Sequence, residues 1–568
     1  MVSPGLIKKN EELKSVSINE GAKRLFQVIY NEQNKKVKSD DDSPKISVSS
    51  MISKVAFFYE KIRNAIQYEE DHLLRKNAII RILKRQVVIE GALRTPDTLE
   101  ISSHLLQELI RGSYLPNDKL PETKIAEIAS LLEKYIKLKN FCIAKVNSEI
   151  NIKKDIGKVR GLIAEKNKLT NWILALAACE IEESFGTNKI KQATVANLFD
   201  FFRLNLKLES GVTYEQDLEI QIYLSICRTY LKFDDDMLSF VLFKYYNDKW
   251  IKSDLNEVDI KKIAGSIREL KSLANHQLKH PLLKQIDRVV RKYALYSTVM
   301  TETIDVDPVK VYNDLSSNQK SFLASVKKIC GAKYKKARKR LWGAATRSII
   351  YIFLTKSVFV FILEVPATKW FNEPINPVTL AINVIFPAIL LFLIVALVRT
   401  PGESNTNKII EGIKELFFAG NERSQPILIR AKNRRGLITK WVFNIIYAST
   451  FFFSIYFIIW ALNKINFNWV SIIIFLFFLA FVSFFSILTT RGIKELIVIE
   501  RKENLITFLL DLFYMPIIII GKWLSNNVSK VNVFIFIFDF IIEAPFKVLV
   551  NVAEDWTRYV KERKDNMV

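Results

Sequence analysis

Three runs of nearly unbroken apolar side chains, Pro377–Val398, Trp441–Leu462 and Trp469–Thr489, constrain this chain more than any other feature. Each is about 20 residues long, enough to cross ~30 Å of hydrocarbon at ~1.5 Å per residue as a helix. Hydrocarbon offers no partner to backbone N–H and C=O groups, so a lone segment satisfies them only by being helical. A fourth run, Ile349–Val365, is shorter and carries Lys356 near its middle. The pattern predicts four spans.

The chain has 83 Lys plus Arg against 59 Asp plus Glu in 568 residues, a net charge of +24. Such an excess calls for an anionic partner, and its placement selects which one. Seven basic residues lie between Lys333 and Arg347, one (Lys369) in the first connection, nine from Arg399 to Lys440, one (Lys464) in the next connection, and four from Arg491 to Lys502. Basic flanks resist translocation. The alternation therefore predicts a multi-pass protein of a cytoplasmic (inner) membrane, with both termini and the 399–440 loop in the cytosol. Lys333, Lys335, Lys336, Arg338, Lys339 and Arg340 then sit beside the first span, each attracted to anionic lipid head groups by ~1 kcal/mol. A nuclear-localisation or DNA-binding reading of "KYKKARKR" is the rival. Its position against a span favours lipid, and nucleic acid is not an expected partner.

Upstream of the spans, residues 1–51 form a polar lead with too little apolar surface to offset the entropy of ordering. From there Val55, Phe58, Ile62, Ile66, Leu73, Ile80, Leu83 and Val87 recur at three, four or seven residues, which predicts one long amphipathic helix. Similar periods continue through "IAEIASLLEKYIKLKNF", "NWILALAACEIEESF" and "LEIQIYLSICRTYL", separated by breakers such as "RTPDT" and "SYLPNDKLPE". The expected architecture is all-α: a cytosolic helical domain over 52–325, a basic juxtamembrane segment over 326–347, and the four spans over 348–490. A membrane-associated amphipathic hairpin with a charged tail is expected over 491–568. No strand alternation and no fixed repeat stands out in the helical domain. Cys142, Cys179, Cys227 and Cys330 form no CxxC pair, so reduced, buried thiols are expected. The first residues lack the apolar core of a secretory signal, which predicts that the N-terminal part stays in the cytosol.

Charges within the apolar region are the candidate functional residues. Lys356 costs roughly 2.5–3.5 kcal/mol in hydrocarbon unless paired or hydrated. Its possible partners are Asn383, Glu364 and Asp511, although on a straight helix Glu364 lies eight residues, about 12 Å, away. The plainer reading is that Lys356 reaches to the interface from a shallow segment. Two later apolar segments, 505–524 and 531–552, carry Asp511 in one and a stripe of Asp539, Glu543 and Lys547 in the other. Pro516 and Pro545 interrupt them, which favours an interfacial placement. In the 399–440 loop, Ile409, Ile410, Ile413, Leu416 and Phe417 share one face, predicting a membrane-surface helix over 407–419. "ILEVPATKWF" (362–371) and "IIEAPFKVL" (541–549) resemble each other; paired Pro-interrupted segments occur in transporters, and Pro and Trp also gather at helix exits.

Enzyme signatures are missing: there is no HExxH, GxxxxGK[ST], GxGxxG or GxSxG. His276 and His280 have a metal-capable spacing but no acidic or cysteine residue beside them, and Asp234, Asp235 and Asp236 read as a helix cap. No cofactor or metal is expected. Two segments, "FFYEKIRNAIQYEEDHLLRKNAIIRILKR" (57–85) and "FIFDFIIEAPFKVLVNVAEDW" (536–556), resemble an uncharacterised family of multi-pass membrane proteins from small-genome candidate-phylum bacteria. That resemblance implies a membrane location and no particular activity. The expected function is a membrane-anchored scaffold whose helical domain binds a protein partner. A transporter using Lys356, Asn383, Asp511, Asp539 and Glu543, or an enzyme with no familiar motif, are the alternatives.

Overall fold

The computed structural model describes residues 18–35, 44–48, 60, 70–89, 97–152, 155–186, 188–209, 214–251, 255–317, 319–374, 376–418, 423, 425–430, 436–499, 514–515, 517–523, 552, 556, 559–560 and 563. The described chain is all-α apart from two three-residue strands, and it divides into two compact units.

One unit comprises 20–294 with 425–430 and 538–568. It contains α1 (Glu20–Lys35), α2 (Asp71–Leu83), α3 (Thr98–Arg111), α4 (Thr123–Ile152), α5 (Ile156–Ser184), α6 (Lys189–Asn205), α7 (Glu215–Thr229), α8 (Asp235–Tyr246), α9 (Glu257–Leu278) and the first half of α10 (Leu283–Val306). Short polar side chains start several of these helices: Asp97, Asp155, Asn188 and Asp234 each accept a first-turn N–H. The paired helices α4 and α5 build the core, where Leu132, Tyr135, Leu138, Leu176, Ala177 and Ile181 are buried together. The Tyr135 and Trp250 rings pack at a 58° tilt with centroids 4.9 Å apart, and both donate to Glu180 Oε2. This core draws on segments far apart in sequence, from Ile46 to Leu270.

Of the long helix expected from Val55, the described part is α2 followed by a π turn, Lys84–Ile89; the stretch 55–69 lies outside the described residues except for Glu60. The strands β1 (Leu206–Leu208) and β2 (Ile427–Ile429) pair in parallel, Leu206 opposite Ile427. Three residues are too few to show an alternating pattern, so sequence periodicity is silent about them. All four cysteines are free and buried.

The other unit comprises 1–19, 295–424 and 431–537. It holds α11 (Pro308–Ser317), α12 (Gln319–Phe359), a π turn (Val360–Glu364), α13 (Val365–Trp370), α14 (Pro377–Ala396), α15 (Glu403–Phe417), α16 (Leu437–Lys464) and α17 (Trp469–Lys494). Four helical stretches are long and apolar enough to cross a membrane: Gln319–Trp370, Pro377–Ala396, Trp441–Lys464 and Trp469–Lys494. The first continues unbroken from the basic stretch, so charged segment and span are one rod. Helices α12, α14 and α17 pack pairwise against one another. Near the start of the first span they close on Leu341, Ala345, Ile352, Leu391, Val395, Val482 and Ile493.

The helix expected in the 399–440 loop exists as α15, with a difference. Its apolar face, Ile409, Ile410, Ile413, Leu416 and Phe417, is buried within the protein and is not free to meet a bilayer. Protein packing satisfies that face instead: α15 lies on α12, and Gly412 sits so close to the Tyr296 ring that a Cβ would fall 2.1 Å from it. Asn405 fastens the start of α15, donating to Tyr334 Oη and the Leu496 carbonyl and accepting from Val498 N. Within segment 505–524, residues 517–523 are helical, and Gly521 meets Ala480 midway along α17, where a Cβ would lie 2.0 Å from the Ala480 carbonyl oxygen. Tyr514 and Met515 are helical too; the remainder of that segment and nearly all of 531–552 lie outside the described residues.

Candidate functional site

The polar side chains of α12, α14 and α17 gather inside the bundle. Asn376 caps α14 and Pro377 starts it, which sets Asn383 two turns inside. Asn468 caps α17 by accepting from Ser471 N at 2.7 Å, and this places the Ser471 hydroxyl on the inner face. Glu364 ends the π turn that joins α12 to α13. Pro366 has no N–H to give the Ile362 carbonyl, and the widened turn just before it, with Val365 N bonded to Val360 O, relieves the crowding its ring would cause.

These elements converge on one carboxylate. Asn383 Nδ2 donates to Glu364 Oε1 at 2.5 Å, and Ser471 Oγ donates to the same oxygen at 2.7 Å. Thr368 Oγ1 donates to the Glu364 carbonyl at 2.7 Å. Lys356 lies farther along the same helix, its Nζ 3.9 Å from the centroid of the Phe478 ring and 5.7 Å from that of Phe359. Glu364 is within electrostatic reach of that ammonium. Lys356, Glu364, Asn383 and Ser471 are all 0 % exposed. Each of the first three keeps an unpaired polar atom: Lys356 Nζ, Glu364 Oε2 and Asn383 Oδ1 have no hydrogen-bond partner among the described residues, and Ser483 Oγ on α17 has none either.

Backbone irregularity accompanies the cluster. In α14, Pro387 lies four residues past Asn383 and cannot donate to its carbonyl, so the ladder is interrupted where the amide side chain is buried. Together with the π turn in the first span, two of the three helices are irregular beside the same carboxylate. Such breaks at membrane depth are tolerated where protein or water satisfies the freed groups.

Of the five intramembrane residues read from sequence, Lys356 and Asn383 lie in this bundle; Asp511, Asp539 and Glu543 lie outside the described residues. Lys356 is enclosed within the bundle. Glu364, which the straight-helix spacing set apart, is the centre of the hydrogen bonds. Ser471, Phe478 and Ser483 carried no sequence signal beyond the Asn468 cap three residues before Ser471. Of the basic stretch, Lys335, Lys336, Arg338, Lys339 and Arg340 are exposed on α12, while Lys333 pairs with Glu302 at 2.6 Å. His276 and His280 have ring centroids 6.1 Å apart, and His280 Nε2 lies 3.5 Å from Asp217 Oδ2. Among the described residues no group of three or more His, Cys, Asp or Glu is placed to hold a metal ion.

No protein-family model, curated protein or solved structure matches the chain. Fold and site geometry therefore carry the functional argument.

Proposed function

We propose that the chain is a multi-pass protein of a cytoplasmic membrane, with both termini cytosolic, and that it serves as a membrane-anchored scaffold. The observation that carries this reading is the coexistence of four membrane-length apolar helices with a helical unit that has a buried core of its own. An anchor needs the first, and a partner-binding module needs the second. The alternation of basic residues along the chain supports the orientation. Lys335, Lys336, Arg338, Lys339 and Arg340 project from the helix that becomes the first span, which suits them to anionic head groups on the cytosolic face. A protein partner is the expected occupant of the helical unit's surface.

Because the four native cysteines are buried, single new ones report topology cleanly. Asn372→Cys should react with an impermeant maleimide on intact cells, and Glu403→Cys only after the membrane is opened. The opposite pattern overturns the orientation. For the scaffold itself, a photocrosslinking side chain at Ile156, which is 85 % exposed, or at Leu204, 76 % exposed, should capture a discrete protein. Diffuse or absent products from a series of such positions around the unit would remove that reading.

A transporter is the second reading, and a specific observation favours it: a buried Lys356, Glu364 and Asn383 beside two irregular helices. Spin labels at Glu373 and Val398 separate the two. One distance distribution under all conditions supports an anchor, and two interconverting ones support transport.

A further inference from the structure

We propose that the seam between α12, α14 and α17 holds bound water, as a short column passing Glu364, Asn383, Lys356 and Ser483. This goes beyond the scaffold reading and holds whether the bundle anchors or transports. Four fully buried polar atoms there, Lys356 Nζ, Glu364 Oε2, Asn383 Oδ1 and Ser483 Oγ, have no partner among the described residues. An ammonium offers three donors, carboxylate and amide oxygens accept, and a hydroxyl does both. The Phe478 ring covers one side of the ammonium but does not substitute for oxygen acceptors on the others.

The chemistry of the occupant follows from these groups. Lys356 and Glu364 carry opposite charges, so the pair offers no net attraction to a free ion of either sign that would offset the cost of stripping its hydration shell. What remains is a neutral species that both donates and accepts. It must also serve separated positions. Glu364 meets α17 at Ser471, whose hydroxyl it holds, and the orphaned Ser483 is twelve residues farther along that helix (483 − 471), about 18 Å, so a single small solute does not reach from the carboxylate to Ser483 while several waters can. The apolar cluster of Leu341, Ala345, Ile352, Leu391, Val395, Val482 and Ile493 ends the column on the side of the basic stretch. The column therefore stops short of that face, and the bundle remains sealed to bulk water there.

Hydroxyl radicals generated by an X-ray pulse from trapped water attack the nearest rings, so radiolytic labelling of the full chain in lipid nanodiscs reads the site directly. The comparison rings are Phe475, buried in an apolar cluster, and Phe477, 43 % exposed on the outside of the bundle. Phe478 should be hydroxylated several-fold faster than either, with the label of 18O-enriched water in its product. Equal rates for the three rings, or a fast Phe478 that never takes up 18O, overturn the proposal. Equal rates would mean that protein alone satisfies the ammonium. A paired variant, Lys356→Met with Glu364→Gln, should slow Phe478 to the rate of Phe475; an unchanged rate overturns the role given to these two residues. If that variant does not fold, the wild-type ratio still decides.

Discussion

Two lysines, one in each unit, are buried completely, and they are accommodated in opposite ways. Lys76, on α2 of the helical unit, is 0 % exposed and forms ion pairs with Asp234 and with Asp236, the latter at 3.1 Å. Burial opposes its charge, but the Asp236 and Asp234 carboxylates outweigh burial and hold its pKa above the usual lysine value. Those carboxylates are 35 % and 44 % exposed, so the buried cation is linked to solvent through its partners. Lys356 is equally enclosed, yet it faces an aromatic ring, and the carboxylate in its reach is hydrogen-bonded to Asn383 and Ser471 instead. In the helical unit the counter-ions sit at the edge of water; in the apolar bundle the buried lysine has no such edge beside it, and a polar interior takes its place.

The largest effect is expected where that compensation is removed outright. Asp234→Ala with Asp236→Ala strands the Lys76 ammonium and deletes the cap of α8, so the helical unit should lose about 3–5 kcal/mol for the stranded charge and ~1 kcal/mol for the cap. Urea unfolding of the full chain in detergent, followed by the Trp250 environment, would measure it. Lys76→Met should cost much less, because the two aspartates can be hydrated. If both changes cost the same, the contrast between the two lysines is misconceived.

Glu364→Leu comes next, at about 3 kcal/mol, from two hydrogen bonds to a charged acceptor. It should cost less than the aspartate pair because seam water can still solvate Lys356. A steric test follows at about 2 kcal/mol. Gly412→Ala drives a methyl into the Tyr296 ring, which is itself 5 % exposed and has little room to move, so α15 should loosen while the helical unit stays intact. Hydrogen exchange would show faster amides over 403–417 and unchanged ones in α4 and α5; uniform loosening of both would count against separate cores.

How much of this was legible from residues alone depends on the distance over which each feature acts. Apolar runs announce spans because burial in lipid is a local property of each segment. Asp234 announces a cap for the same reason, its acceptor being three residues away at Met237 N. Its second role, pairing with Lys76 across 158 residues, leaves no local trace. The eight residues between Lys356 and Glu364 argue against a direct pair, and none forms; what that spacing does not show is that Glu364 bonds instead to Asn383 and Ser471, 19 and 107 residues away. Ser471 is one hydroxyl in an apolar run, and such residues commonly bond only to their own helix. Pro387 was the overlooked clue, since a proline four residues after a buried Asn frees that residue's carbonyl. The apolar face of α15 was visible, but amphipathicity alone does not say whether protein or lipid covers it.

The smallest expected effect is a pH dependence confined to the helical unit. Burial lowers the pKa of His72, helped by the nearby Lys191 and Arg75 charges and opposed by Glu70 and Asp234. Burial also lowers that of His280, with Asp217 opposing and His276 adding to the shift. A folded-state pKa below the unfolded value of ~6.5 means that folding favours the neutral imidazole. Stability from these two groups is therefore fully present above about pH 6.5 and is lost as pH falls toward the folded-state values. Thermal unfolding of the full chain in nanodiscs should show the helical unit melting earlier at pH 5.5 than at pH 7.5. His72→Gln with His280→Gln should shrink that difference, since neither glutamine can take up a proton. Lys356 is shielded from this test by its enclosure, so the bundle's own transition should move less than that of the helical unit. A bundle that shifted more on acidification would show that its charges communicate with bulk solvent, and the two lysines would then differ in degree and not in kind.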